Sequence, residues 1–146
     1  MWAARHPHIE YKELIVDNAA MQLVVRPETF DILLLPNLYG DIVSDLAAGL
    51  VGGLGMVPGA NMGEKDAVFE AVHGSAPDIA GKGIANPTAM MLSSALMLFH
   101  LKEPEAAARL QHAVEKVYAG GKHTTPDVGG KAGTAEFTDA VIAAMS

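Results

Sequence analysis

The run Phe30-Asp31-Ile32-Leu33-Leu34-Leu35 is compact, apolar and closed at once by Pro36-Asn37. It is too short for a typical helix and suits a buried strand. From Gly40 to Leu50 the pattern changes: Ile42, Val43, Leu46, Ala47 and Leu50 recur at helical spacing. The same pairing stands upstream. Ile9 to Ile15 sets Ile9, Tyr11, Glu13 and Ile15 against Glu10, Lys12 and Leu14, an imperfect strand pattern. Asp17-Asn18 then precedes a short helix over Ala19 to Val25, ended by Arg26-Pro27. Short strands alternating with helices predict α/β packing without fixing strand order.

Further along, Gly52-Gly53 and Gly55 break the helical pattern, and Pro58-Gly59-Ala60-Asn61 reads as an irregular connection. Val68 to Val72 predicts a strand. Asn86-Pro87 is a helix-start signal, with an Asn cap and proline at the first helical position. The helix after it spans Thr88 to Leu101. A second runs from Pro104 to Tyr118 and closes at Gly120-Gly121, His123 to Gly133 forms a loop, and Glu136 to Met145 a terminal helix. There is no internal repeat, and the glycine-rich bend near Gly52 to Gly63 is the best internal boundary.

The 146 residues are half hydrophobic, enough for a packed core. A net charge of -7 and the lack of a basic stripe argue against nucleic acid. With no cysteine, disulfides, thiolate catalysis and cysteine-zinc sites are excluded, whereas a carboxylate-bound hard cation is not. The start Met1 to Pro7 lacks a secretion signal, and the apolar stretches Leu46 to Pro58 and Met90 to Leu101 are short for a membrane span. A cytoplasmic location is the default expectation, or the mitochondrial matrix if a targeting peptide precedes this sequence.

Two segments carry chemistry. Asp41 and Asp45 lie four apart near the start of a helix, hence on roughly one face, where like charges repel unless a cation or basic group intervenes. Asp17 is a third oxygen donor in a similar strand-to-helix setting. A hard divalent ion needs such ligands, yet helix caps and a solvated face account for the spacing more often. The second segment is His73-Gly74-Ser75-Ala76-Pro77-Asp78-Ile79-Ala80-Gly81-Lys82-Gly83-Ile84-Ala85-Asn86. Its glycines admit close backbone approach, while His73, Ser75, Asp78 and Asn86 offer hydrogen bonds. It is neither a GxGxxG fingerprint nor a phosphate loop, and an ordinary surface loop capped by Asn86 is the commoner reading. If a dinucleotide binds, Asp78 favours an unmodified adenine ribose over a 2'-phosphate, hence NAD over NADP. Met90, Met91 and Met97 read as helix packing, and His100, His112, Lys122 and Lys131 as solvated. No acid/base pair is complete, so no catalytic residue is assigned.

Val16-Asp17-Asn18-Ala19-Ala20-Met21-Gln22-Leu23 and Asn37-Leu38-Tyr39-Gly40-Asp41-Ile42-Val43-Ser44-Asp45-Leu46 resemble the metal-binding region of the isocitrate and isopropylmalate dehydrogenase family. His73 through Pro87 resembles its cofactor segment, and the likeness continues at Asp127-Val128-Gly129-Gly130 and Glu136-Phe137-Thr138-Asp139. The resemblance implies a partial α/β fold of that family, its C-terminal portion. Residues 1–52 would belong to the smaller substrate, metal and dimerisation domain, and 53–146 to the larger cofactor-binding domain. Asp41 and Asp45 would bind Mg2+ or Mn2+, with Asp17 reaching the matching site of the partner subunit in a homodimer. His73, Gly74, Ser75, Ala76, Asp78, Ile79 and Asn86 would line the NAD site, with Asp127 near the cofactor.

Pro36 to Gly40, Pro58 to Gly63 and Phe69 to His73 look most like NAD-dependent isocitrate dehydrogenases, with isopropylmalate and homoisocitrate enzymes sharing much of the rest. The implied substrate is a 3-substituted malate, with isocitrate foremost. The family is more than twice this length. Its substrate-binding arginines, much of its cofactor cleft and its catalytic tyrosine and lysine have no counterpart here, so the resemblance implies a chain inactive alone. The alternatives are a noncatalytic subunit or a binding module completed by a complementary N-terminal polypeptide.

Overall fold

The computed structural model describes residues 3–146, so the first two residues of the Met1-to-Pro7 start lie outside the described residues. The chain divides into two compact units, one ending at Ala47 and the other running from Ala48 to Ser146.

In the first unit, helix α1 (Val16–Val25) buries Ala19 and Leu23, four residues apart on one face. Asp17 sits in its first turn, where a carboxylate suits the positive helix end. Arg26 closes the helix by donating its backbone N–H to the Gln22 carbonyl at 2.7 Å, and Pro27 opens a 3-10 turn, Pro27–Thr29. Helix α2 (Asn37–Leu50) begins three residues before the expected Gly40, its first turn closed by the Gly40 N–H on the Pro36 carbonyl at 2.8 Å.

Neither expected strand of this unit forms. Ile9 to Ile15 and Phe30 to Leu35 enter no ladder, because a strand is stable only when its backbone groups meet a neighbour. The alternation read from sequence survives locally in the first of them. Lys12 pairs with Glu10 at 2.8 Å, and the Tyr11 hydroxyl donates to Glu13 at 2.9 Å. Both are i,i+2 contacts, the spacing that shares one side of an extended chain. The Lys12 hydrogen bond, then its charge, lowers the Glu10 pKa, while the bond to Glu13 raises that of Tyr11. In the second segment Ile32 is 89% exposed and Leu34 94%.

The second unit is layered. After α2, Gly52 and Gly53 take φ of +116° and +105°, which a side chain would resist, and the helix ends there. Strands β1 (Pro58–Met62) and β2 (Ala67–Ala71) then pair antiparallel, Gly59 opposite Glu70 and Asn61 opposite Val68. Pro58-Gly59-Ala60-Asn61 is thus a strand rather than an irregular connection. Pro58 stands at its first position, where a missing N–H is tolerated. A Cβ on Gly59 would meet the Glu70 carbonyl at 3.1 Å, so the residue that weakens the strand pattern also lets the chains close.

Helix α3 (Thr88–His100) packs on this hairpin, α4 (Pro104–Gly120) on α3, and α5 (Thr134–Ala144) on α4. Ser93 fastens the first contact: its hydroxyl lies 2.7 Å from the Glu70 carbonyl and 2.8 Å from that of Ala89, and it accepts from the Gly59 N–H at 3.4 Å. Val114, Val117, Phe137 and Val141 form the core with Met91, Leu92, Leu110 and Tyr118 around them. Gly121, at φ +65°, caps α4 in the left-handed conformation expected of a closing glycine. Among the described residues, no helix is long and apolar enough to cross a membrane.

Candidate functional site

Asp41 and Asp45 project from successive turns of α2 and are exposed. Among the described residues neither carboxylate is engaged in a hydrogen bond or ion pair; Ser44 donates only to the Asp41 backbone carbonyl, at 3.1 Å. Asp17, also exposed, accepts the Asn18 backbone N–H at 2.6 Å. Within one copy the three are not gathered: among the described residues no three His, Asp or Glu side chains form a group that could hold a metal. Their chemistry nevertheless fits a hard divalent cation, since all are unprotected carboxylates and two are held at one-turn spacing on a helix.

The loop between β2 and α3 divides into an open half and an anchored half. In the open half His73, Ser75 and Asp78 are exposed. The His73 ring meets the Gly74 carbonyl at 2.9 Å; a carbonyl only accepts, so Nδ1 is the donor. Ala76 takes φ of +40°, a conformation rarely adopted outside glycine, and the turn behind it is closed by the Ile79 N–H on the Ala76 carbonyl at 3.1 Å. Strain of this kind gathers at ligand sites. Gly81 and Gly83, at φ +75° and +65°, lead into the anchored half. There the Thr134 N–H donates to the Gly83 carbonyl at 2.8 Å and the Thr134 hydroxyl to the Ala85 carbonyl.

Asn86 ends the loop and is only 8% exposed. Its Oδ1 accepts the Thr88 N–H at 3.0 Å, so it caps α3 from one residue further back than expected, with Pro87 just ahead of the first helical residue. Its Nδ2 donates to Asp127 Oδ2 at 2.9 Å and to the Tyr118 hydroxyl at 3.0 Å. That hydroxyl lies 2.7 Å from Thr88 Oγ1 and 3.1 Å from Met56 Sδ. The structure therefore joins two of the sequence candidates, Asn86 and Asp127. It adds Tyr118, Thr88 and Met56, which sequence reasoning missed. Tyr118 had been legible only as the last residue of a helix, although it follows Val114 and Val117 on the apolar face and carries a hydroxyl that burial must satisfy. An apolar hollow lined by Pro58, Leu92, Leu96 and Phe99 contains none of the candidates.

Residues 1–141 match the isocitrate/isopropylmalate dehydrogenase family, and the chain belongs to it. It is 60% identical over 139 residues to an isocitrate/homoisocitrate dehydrogenase of Thermus thermophilus, covering 95% of this chain and 41% of the relative. A 3-isopropylmalate dehydrogenase of Archaeoglobus fulgidus is 52% identical over 143 residues, covering 98% of this chain and 44% of the relative. The fold superposes on a crystal structure of isocitrate dehydrogenase from Methylococcus capsulatus with a TM-score of 0.94 at 52% identity, over 98% of this chain and 43% of that one. The fold is thus a mixed α/β part of the family's own, and the chain spans about two fifths of the length of the relatives it matches.

Proposed function

We propose that this chain is the metal- and NAD-binding C-terminal part of an oxidoreductase that oxidatively decarboxylates isocitrate to 2-oxoglutarate. The family match over residues 1–141 carries the reading, and the unpaired carboxylates of Asp41 and Asp45 support it. Asp41 and Asp45 hold Mg2+ or Mn2+ from one helix face, and Asp17 serves the matching site of a partner subunit in a homodimer. That division suits a chain whose described residues bring no three ligands together. Held there, the cation would supply Lewis-acid polarisation of a 3-substituted malate, and NAD would supply the hydride acceptor.

The chain's own residues bind and orient. His73, Ser75 and Asp78 present open hydrogen-bonding groups from the exposed half of the loop, beside the backbone of Gly74, Ala76 and Ile79. Asp78 supplies negative charge, which accepts from a ribose hydroxyl and repels a 2'-phosphate. The second reading is 3-isopropylmalate as substrate, favoured by the 52% identity to the Archaeoglobus fulgidus enzyme. The chain alone does not turn over, since the substrate-binding arginines and the catalytic tyrosine and lysine belong to a complementary N-terminal polypeptide.

Titration with Mn2+ and an assay with isocitrate and NAD test this. The purified chain is expected to bind Mn2+, Asp41→Asn to weaken that binding by about tenfold or more, and neither to form NADH. Equal Mn2+ affinity in both proteins overturns the metal assignment. Saturable NADH formation by the chain alone, lost in Asp41→Asn, overturns the claim of incompetence.

A further inference from the structure

Resting on the dinucleotide reading above, we infer that Tyr118 is a positioning residue of that site. It acts through Asn86 to hold Asp127, leaving one carboxylate oxygen for a hydroxyl or amine donor of the dinucleotide. The Tyr118 ring is set by the core, its centroid 5.4 Å from that of Phe137. Its hydroxyl is thereby fixed where it accepts from Asn86 Nδ2 at 3.0 Å, and its single proton is left for Thr88 Oγ1, Met56 Sδ or, at 3.4 Å, Asn86 Oδ1.

Both ends of the Asn86 amide are engaged. Oδ1 accepts the Thr88 N–H at 3.0 Å and lies 3.4 Å from the Tyr118 hydroxyl, while Nδ2 donates to Asp127 and Tyr118 and reaches Met56 Sδ at 3.6 Å. Reversing the amide would set Oδ1 against the Asp127 carboxylate and Nδ2 against the Thr88 N–H, so those two partners fix its orientation, and the Tyr118 hydroxyl, in reach of both amide atoms, holds its position. Gly55 walls the same spot: a Cβ there would lie 3.2 Å from Asn86 Cβ and 3.3 Å from Asp127 Oδ2.

Asp127 itself is exposed, and only its Oδ2 meets a protein donor among the described residues. A carboxylate accepts and cannot donate, so its free Oδ1 selects a donor from the ligand. The exposed carboxylate beside the buried amide faces the ligand.

The test is a double-mutant cycle on NAD binding by the full 146-residue chain, with NMR of the Asn86 side-chain amide. Tyr118→Phe keeps the ring on Phe137 and removes only the hydroxyl. It is expected to shift the Asn86 amide signals and to weaken NAD binding about threefold to tenfold, the worth of one net hydrogen bond. In an Asp127→Asn background the same change is expected to cost less than about twofold, because the group it positions is already altered. Equal loss in both backgrounds means that Tyr118 merely supports the fold, and overturns the positioning role. Unchanged NAD binding in Tyr118→Phe does the same while leaving the dinucleotide reading intact. A wild-type chain that binds no NAD overturns that reading and this role with it.

Discussion

The two units of the chain obey the same sequence rules and come to different ends. From Ala48 onward, apolar positions at helical spacing find one another: Leu110, Val114 and Val117 of α4 meet Phe137 and Val141 of α5 around a closed core. Up to Ala47 the apolar positions are as regular, yet Ile9, Ile15, Ile32, Leu34, Leu38 and Ile42 stay exposed. A helix satisfies its backbone within itself, whereas a strand borrows its hydrogen bonds from a neighbour. The difference teaches that periodicity reports which face a segment is able to bury, and only a partner makes it bury that face.

The comparison breaks most decisively at Phe137, which is 0% exposed and packs on Tyr118. Phe137→Ala is expected to lose about 3–5 kcal/mol, through lost transfer free energy and the cavity left behind. Urea unfolding followed by circular dichroism measures it. A loss below about 1 kcal/mol, the range of surface changes, would mean that the core of the second unit is no tighter than the first.

Ser93 probes the same unit one layer outward. It is fully buried and ties α3 to both strands of the hairpin. Ser93→Ala leaves the Gly59 N–H without this partner, for an expected cost of about 1–2 kcal/mol. Because the bond to Ala89 lies within α3, the hairpin amides should exchange faster while those of α4 and α5 do not. Uniform acceleration would show that the hairpin is no separate layer.

The same contrast explains what the sequence made legible. Helices α1 to α5 were each readable, because caps, prolines and closing glycines such as Gly121 act locally. β1 was misread, since Pro58 and Gly59 speak against a strand and only the Glu70 carbonyl and Ser93 make that backbone useful. The candidate residues divide likewise. Asp41 and Asp45 were legible as a pair from spacing alone, and Asn86 from its place before a proline. Tyr118 was not, because its part depends on four segments meeting at one amide: Met56, Asn86, the end of α4 and Asp127.

In the first unit the exposed residues should behave as surface. Leu34→Lys, at a side chain 94% exposed, is expected to change unfolding free energy by less than about 0.5 kcal/mol. It should, however, reduce any self-association seen by analytical ultracentrifugation, since a charge in an exposed apolar segment opposes its burial against another chain. A marked loss of stability in the monomer would place Leu34 in a core, and the two units would then differ less than their exposure indicates.

The smallest effect is expected at Glu10. Its pKa is lowered from the ordinary 4.5 by the Lys12 hydrogen bond and then by the Lys12 charge. A depressed carboxylate contributes stability above its unfolded pKa and loses it as pH falls through the folded value. The window therefore opens near pH 4.5 and extends below it. Lys12 is raised from 10.5 by the same partner, so its share is present below that value and fades as pH rises past it. Both side chains stand in solvent, at 75% and 78% exposure, where screening and side-chain entropy consume nearly all of the attraction. Glu10→Gln should leave the melting temperature at pH 7 unchanged and its acid slope nearly so. A clear drop at pH 7 that vanishes below pH 4 would show that Ile9 to Ile15 is packed against something in solution, and that the two units differ less than their exposure suggests.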